Sequence, residues 1–250
     1  LDVTKAIAVA VNHTVASSLP GVAPWGGEIG PHNGGSVPCD HSSMRWANFG
    51  DSFWYADALG TKARHGYAAF CRQDLIGADY GLLDCSTGEP LPDYWAGLLF
   101  ARLMGPVVLD AAAITFNSTA IRAYAHCTPK PAARGTATVL LINLSTHATN
   151  VTLTFPGSRS GIGALSSPHG DNARTEWHLT QSSHSLLTNA TGLLGDRVQL
   201  NGAVLSLTQH GELPKLPGRR VAASEPVALA GESIAFAVVP VGIAAAGCMI

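Results

Sequence analysis

The sequence predicts an α/β region followed by an all-β region, and three observations carry that expectation. Helical and strand signals alternate as far as residue 105, whereas short strands and turns dominate from residue 106 onward. The composition, 46% hydrophobic against 13% charged, belongs to a chain that buries a large core. The length of 250 residues leaves no room for both a complete eight-unit β/α barrel, typically about 250 residues by itself, and a further domain.

The elements follow in order. A helix is expected from Leu1 to about Ser17, because Val3, Ile7, Ala10, Val11 and Val15 recur at helical spacing and would bury one face, and Leu19-Pro20-Gly21 stops the run. Val22 to Trp25 reads as a short strand that opens into the glycine-rich loop GGEIGPHNGG. Ser42 to Leu59 reads as a second helix, with Ser42 or Ser43 as N-cap and Gly60 as its stop. Gly66 to Cys71 forms a compact apolar strand, followed by the loop RQDLIGADYGLLD. Pro92 to Met104 then makes a helix with Pro in its first turn and Gly105 beyond it. This order is that of two consecutive β/α units, too few to close a barrel. The second region offers VVLDAAA, AIRAYAHC, TATVLLINL, NVTLTF, EWHLT, DRVQLN, AVLSLT and SIAFAVV, whose spacing indicates an antiparallel sandwich. The 17 uncharged residues from Ile234 to Ile250 fall short of the roughly 20 that span a bilayer, and Pro240 and Gly242 interrupt them, so they read as a last sandwich strand.

A net charge of −2 with scattered cations argues against nucleic acid as a partner. Cys39, Cys71, Cys85, Cys127 and Cys248 show no CxxC or Cys/His ligand spacing, so neither a metal nor another cofactor is expected. His32, Cys39 and His41 read as a solvated loop. The start at Leu1 rather than Met reads as processed or truncated. Asn12, Asn117, Asn143, Asn150 and Asn189 head N-x-[ST] sequons, where chance spacing gives about one. That excess suggests N-glycosylation and the secretory pathway: extracellular, lysosomal or vacuolar, or membrane-associated. Thr- and Ser-rich strands also create sequons by composition.

Glu28 follows a strand and is flanked by Gly26, Gly27 and Gly30, so its side chain can meet a ligand without neighbouring bulk. A carboxylate at a strand end is what a retaining glycosidase uses as nucleophile, opposite a second carboxyl about 5 to 5.5 Å away. On Gly-Gly-Glu alone, Glu28 reads as an acceptor for loop amides. The second loop offers Arg72, Gln73, Asp79 and Tyr80 for ring hydroxyls and a sugar face, with Arg72 equally suited to a structural ion pair.

FWYADALGTKARHGYAAFCRQDLIGADYGLLD, PLPDYWAGLLFARLMGPVVL, AYAHCT, TVLLINLS, VQLNG, LPKL and SIAFAVVP, in that order, resemble the carboxyl-terminal half of the heparanase and plant heparanase-like group of glycoside hydrolase family 79. The resemblance runs over nearly the whole chain. It implies the C-terminal part of a (β/α)8 TIM barrel at residues 1–105 and an antiparallel β-sandwich domain at 106–250. It implies Glu28, in WGGE, as the catalytic nucleophile, Gly34 and Gly35 as backbone ligands of a uronic acid carboxylate, and Gln73 and Tyr80 as substrate-binding residues. It also implies a disulfide between Cys127 and Cys248, which would anchor the apolar C-terminal segment. Cys71 then reads as a buried strand residue, while Cys39 and Cys85 pair with each other or stay free. Asn33 and Ala78-Asp79 depart from the family's usual residues.

The family's acid/base Glu stands in an Asn-Glu motif, and no Asn-Glu pair occurs in the 250 residues. Glu89, in Gly88-Glu89-Pro90, belongs to the loop before the PDYW helix and is no substitute. The expectation is therefore a retaining β-glucuronidase or endo-β-glucuronidase fragment that is inactive alone. Its partners would be the remainder of the barrel and a glucuronic-acid-containing polysaccharide or proteoglycan glycan. Lys62, Arg64, Arg72, Arg219 and Arg220 form no dense cationic cluster in sequence, which favours weakly sulfated or small glucuronides over heparan sulfate. The alternatives are a non-catalytic heparanase-like module that binds glycan or protein, and a lone carbohydrate-binding sandwich.

Overall fold

A computed structural model of the chain describes residues 2–31, 46–110, 119–130, 135–154, 173–185, 190–241 and 248. Helix α1 spans Asp2–Ser18, and only Ala8 of its residues is buried, so Val3 and Ile7 stand exposed where a buried face was expected. Strand β1 spans Trp25–Ile29 and β2 spans Ala69–Arg72. They pair in parallel, with Trp25 opposite Ala69 and Gly26 opposite Phe70. Pairing therefore selects a segment about three residues later than the apolar VAPW stretch. Gly26 allows it, because a Cβ there would come within 2.5 Å of Ile29 Cδ1.

Helix α2 spans Phe49–Arg64. Its N-cap is Asn48, whose side-chain oxygen accepts from the Asp51 amide at 3.1 Å, and the expected start at Ser42 lies outside the described residues. The helix runs through buried Gly60 and ends where His65 donates to Thr61 and Lys62 carbonyls and Gly66 takes φ +76°. Tertiary packing overrides the stop at Gly60: α2 lays Phe49, Phe53 and Tyr55 into the core, and Tyr55 meets Phe70 of β2 at 5.7 Å between ring centroids. Helix α3 spans Pro92–Leu103, within one residue of expectation. Gly97 lets it approach α2, since a Cβ there would lie 2.7 Å from the Tyr55 ring.

The remaining strands are β3 (Val108–Leu109), β4 (Ile121–Cys127), β5 (Thr136–Asn143), β6 (Thr149–Val151), β7 (Ala173–Gln181), β8 (Val198–Leu200), β9 (Ala203–Val204), β10 (Arg219–Ala222), β11 (Val227–Leu229) and β12 (Ser233–Pro240). An antiparallel sheet runs β3-β4-β5-β12-β7-β8-β9, with β10 also on β7. Strands β6 and β11 pair as a separate ribbon. Val151, Val227 and Leu229 of that ribbon share one buried cluster with Val139, Leu141, Ala235 and Ala237 of the large sheet, which gives two layers around one core. Asn201-Gly202, both at positive φ, turn β8 into β9. Cys127 and Cys248 form a disulfide, closing a separation of 121 residues. No helix among the described residues is long and apolar enough to cross a membrane.

The chain divides into two compact units, one of residues 1–97, 181–198 and 204–214, the other of 98–180, 199–203 and 215–250. The break between these units falls inside α3, and two later stretches belong to the first unit. In that unit Glu89 accepts from Arg197 at 3.2 Å and from the Leu207 amide.

Candidate active site

The carboxyl ends of β1 and β2 lie side by side because the strands are parallel. Between Gly26 and Ile29 on β1 there are two residues, but between their partners Phe70 and Arg72 on β2 there is one. Glu28 therefore sits in a β-bulge, and its φ of +48° lies in the left-handed region that costs a non-glycine residue about 1 kcal/mol or more. The other described non-glycine residues at positive φ, Asn201 and Glu232, fall in turns, so Glu28 is the one within a strand. Bulges of this kind re-aim a side chain, and strain of this kind concentrates at functional sites. The Glu28 side chain is exposed, and a Cβ at Gly27 would meet nothing within 4 Å. Across the pair, the Gln73 amide donates to the Ile29 carbonyl at 2.9 Å, which places Gln73 beside the Glu28 turn.

Arg72 points the other way. Its Nη2 donates to Asp93 Oδ2 at 2.8 Å and to the Tyr80 carbonyl at 2.8 Å, and it lies 3.5 Å from Asp51 Oδ2, with all three charged side chains almost fully buried. The guanidinium also lies near the Trp54, Tyr55 and Tyr80 rings. Burial, with the neighbouring charge of Asp93, pushes Asp51 well above the ordinary carboxylate range and so toward its neutral form. Burial also raises Asp93, against the opposing pull of Arg72. The Tyr55 hydroxyl is pushed up to about 12, chiefly by burial. Arg72 is thus a structural staple between β2, α2, α3 and the loop at Tyr80. Asp51 and Asp93 were not singled out in the sequence; Asp93 in PDYW was the available signal.

Tyr80, expected to offer a sugar an open aromatic face, is buried beside Arg72. Cys71, expected to be buried, is exposed and free, because it lies on the face of β2 opposite the helices. Gly34, Gly35, Asn33, His32, Cys39 and His41 lie outside the described residues, as do Asn117 and Asn189. Cys85 is disulfide-bonded. Asn143 is fully buried: its Nδ2 donates to the His147 and Ala230 carbonyls, and its Oδ1 accepts from the Ser145 amide. That amide is already committed to the fold, which removes Asn143 from the glycan acceptors. Asn150 is exposed and Asn12 partly so. No group of three potential metal ligands occurs among the described residues.

No protein-family model matches the chain. Its sequence is 34% identical over 244 residues to heparanase-like protein 2 of Arabidopsis thaliana, covering 92% of this chain and 43% of that protein. It is 31% identical over 225 residues to heparanase of Mus musculus, covering 88% and 37%. The chain belongs to the heparanase-like family. A third relative in this heparanase-like group of matches is baicalin-β-D-glucuronidase of Scutellaria baicalensis, 34% identical over 168 residues, covering 67% and 28%. The heparanase-like chain therefore spans less than half the length of these curated relatives. In fold it is similar to a conserved exported protein from Bacteroides fragilis, with a TM-score of 0.54 at 11% identity, over 94% of this chain and 43% of that one.

Proposed function

We propose that this chain is the carboxyl-terminal part of a retaining β-glucuronidase, with Glu28 as its nucleophile. The observation that carries the reading is Glu28 itself: an exposed carboxylate at left-handed φ in a bulge, at the carboxyl end of a parallel strand and next to Gln73. In β/α enzymes the working groups leave the carboxyl ends of the strands. The relatives named heparanase and baicalin-β-D-glucuronidase support a glucuronide as substrate.

The Glu28 carboxylate attacks the anomeric carbon, the glycosidic C–O bond breaks, and the departing oxygen takes a proton from a second carboxyl group. Water, giving its proton back to that group, then releases the sugar with its configuration retained. The second carboxyl has no counterpart in an Asn-Glu pair here and belongs, on this reading, to the remainder of a (β/α)8 barrel. The exposed faces of α1 and β1 support that remainder as a partner: Val3 and Trp25 are each 72% exposed, although parallel sheets are ordinarily covered on both faces. Gly34 and Gly35 bind the uronic acid carboxylate through backbone amides, residues 1–105 supply the barrel part and residues 106–250 the sandwich. The Cys127–Cys248 disulfide and the exposed sequon at Asn150 favour a secretory-pathway location.

Loss of leaving-group protonation typically costs about 10²- to 10⁴-fold in rate. The test is hydrolysis of 4-nitrophenyl β-D-glucuronide by the longer protein and by the 250 residues alone. Turnover by the longer protein that Glu28→Gln abolishes, with none by the fragment, is expected. Turnover by the fragment that Glu28→Gln abolishes would contradict the missing-acid reading, and a folded, inactive longer protein would leave the non-catalytic reading in its place.

A further inference from the structure

Three ionisable side chains are buried together on the helix side of the strand pair. Asp51 of α2, Arg72 of β2 and Asp93 of α3 are each at most 4% exposed. Two carboxyls face one guanidinium, so full ionisation would leave an uncompensated negative charge in the core. One proton removes it. The Asp51 and Asp93 side chains are hydrogen-bonded to each other, and such a bond needs a proton on one of them. Asp93 takes the charged contact with Arg72 at 2.8 Å, whereas Asp51 stands off at 3.5 Å, so the proton belongs on Asp51.

The donors of Arg72 give the same assignment. Its Nη2 carries two N–H groups, one donating to Asp93 Oδ2 at 2.8 Å and the other to the Tyr80 carbonyl at 2.8 Å. Nothing at Nη2 is left for Asp51. Nη1 and Nε make no hydrogen bond, and the guanidinium lies among the Trp54, Tyr55 and Tyr80 rings, 5.4 to 5.7 Å from their centroids. An ionised Asp51 therefore gains a bond from the nearest donor, Nη2, by taking it from the Tyr80 carbonyl. Among the described residues no other cation offsets that competition. Tyr55 on the same helix keeps its proton up to about 12, Lys5 of α1 acts on His65 at the C-cap of α2, and the turn Gly192–Leu194 packed on α2 has no ionisable side chain.

The Tyr80 carbonyl belongs to the loop that follows β2. The Leu82 amide donates to the Asp74 carbonyl at 3.1 Å and the Leu83 amide to the Leu75 carbonyl at 2.9 Å, which ties the loop's two stems together. At its start Arg72 pairs with Ile29 in register, and the Gln73 amide donates at 2.9 Å to the carbonyl of Ile29, the residue after Glu28. Arg72 thus links this loop both to the helices and to the strand end that carries Glu28.

We propose that Asp51 is a positioning residue for the candidate site: as a neutral acid it donates to Asp93 and leaves Arg72 to hold the loop of residues 73–80, and on losing its proton it competes for Arg72 and loosens that loop. The consequence for substrate rests on the glucuronidase reading above. Burial holds the Asp51 carboxyl well above the ordinary carboxylate range, so the hold is lost as pH rises through that raised value. A hydrogen bond from a charged donor is worth about tenfold or more.

The test uses the longer protein from about pH 4.5 to about pH 8, with amide exchange of Leu82 and Leu83, corrected for its intrinsic pH dependence, beside KM for 4-nitrophenyl β-D-glucuronide. In the wild type, protection of these amides should fall about tenfold across the range while KM rises by a similar factor. Asp51→Asn keeps a donor for Asp93 and cannot ionise, so it should flatten both curves. A wild type whose protection stays constant overturns the proposal without recourse to any variant. Parallel curves for wild type and Asp51→Asn also overturn it, even where their Tm values diverge with pH, because Asp51 would then be structural only. Absence of hydrolysis overturns the glucuronidase reading, and the exchange curves alone then decide whether Asp51 holds the loop.

Discussion

The two units treat their apolar strands differently. In the all-β unit, β5 and β12 pair over eight residues, and the buried face of Val139, Leu141, Ala235 and Ala237 is met by the β6–β11 ribbon. In the β/α unit, one face of the parallel pair is covered by α2 and the other carries exposed Trp25 and Cys71. An antiparallel sheet can close a core from local hairpins, whereas a parallel pair needs further β/α neighbours to cover it. The difference teaches that the all-β unit closes a core of its own, while the parallel pair that holds Glu28 is left open on one face.

The largest expected effect on this contrast is loss of the disulfide. Cys127→Ser frees a loop of about 120 residues, and the chain-entropy model puts the cost near 4 to 5 kcal/mol; denaturant titration under non-reducing conditions checks it. A smaller loss at residues 121–127, or one concentrated in the β/α unit by amide exchange, would break the contrast.

Next comes the buried cluster on β7. Glu176 accepts from Arg174 at 2.6 Å and from His178 at 2.8 Å, and Arg219 reaches its second oxygen at 3.1 Å. Arg174 in turn donates to the Ala222, Ala223, Glu225 and Pro226 carbonyls, pinning the approach to β11. Burial pushes Glu176 up, but the bonds from His178, Arg174 and Arg219 outweigh it and hold it down to about 2. A carboxylate depressed in the folded state contributes stability above its unfolded value of about 4.5, and that contribution drains away as pH falls through about 2. Glu176→Gln leaves a buried Arg174 without its counter-charge and should cost about 3 kcal/mol at pH 7, with the difference from wild type shrinking toward pH 2.

His126 gives a smaller effect. Its Nδ1 donates to the Gly105 carbonyl at 2.7 Å, and burial lowers its pKa below the ordinary 6.5. The neutral ring therefore stabilises the fold above pH 6.5, and the contribution is lost as pH falls below that value. A scan of Tm from pH 7.5 to 5 should decline in the wild type and decline less in His126→Asn, which keeps a donor for Gly105. Parallel curves would remove His126 from the account. The smallest effect is expected at Trp25: replacing this 72% exposed side chain by Ser should change the stability of the 250-residue chain by under about 0.5 kcal/mol, and a larger loss in melts would show that its face is covered.

Legibility from sequence followed how local each signal is. Helix α3 was readable to within a residue because Pro92 and Gly105 bracket it. Strands β4, β5 and β12 announced themselves as apolar runs. Strands β10 and β11 did not, because Arg219-Arg220 and the short VAL segment become strands through pairing with β7 and β6. Glu28 was legible from WGGE, but its bulge was not, since that depends on register with a strand some 40 residues downstream. Arg72 was ambiguous until Asp51 and Asp93 converged on it, and the Asn143 sequon carried no sign that its amide is committed inside the sheet.

The most direct test of Glu28 as nucleophile is to trap the glycosyl-enzyme on the longer protein with 2-deoxy-2-fluoro-β-D-glucuronyl fluoride, whose fluoride leaves without help from a general acid. One adduct of a single fluoroglucuronyl group is expected, mapping by mass spectrometry to the peptide that contains Glu28 and absent from Glu28→Gln. An adduct on a different carboxylate, or steady hydrolysis of glucuronides with inversion and no adduct, would contradict the account.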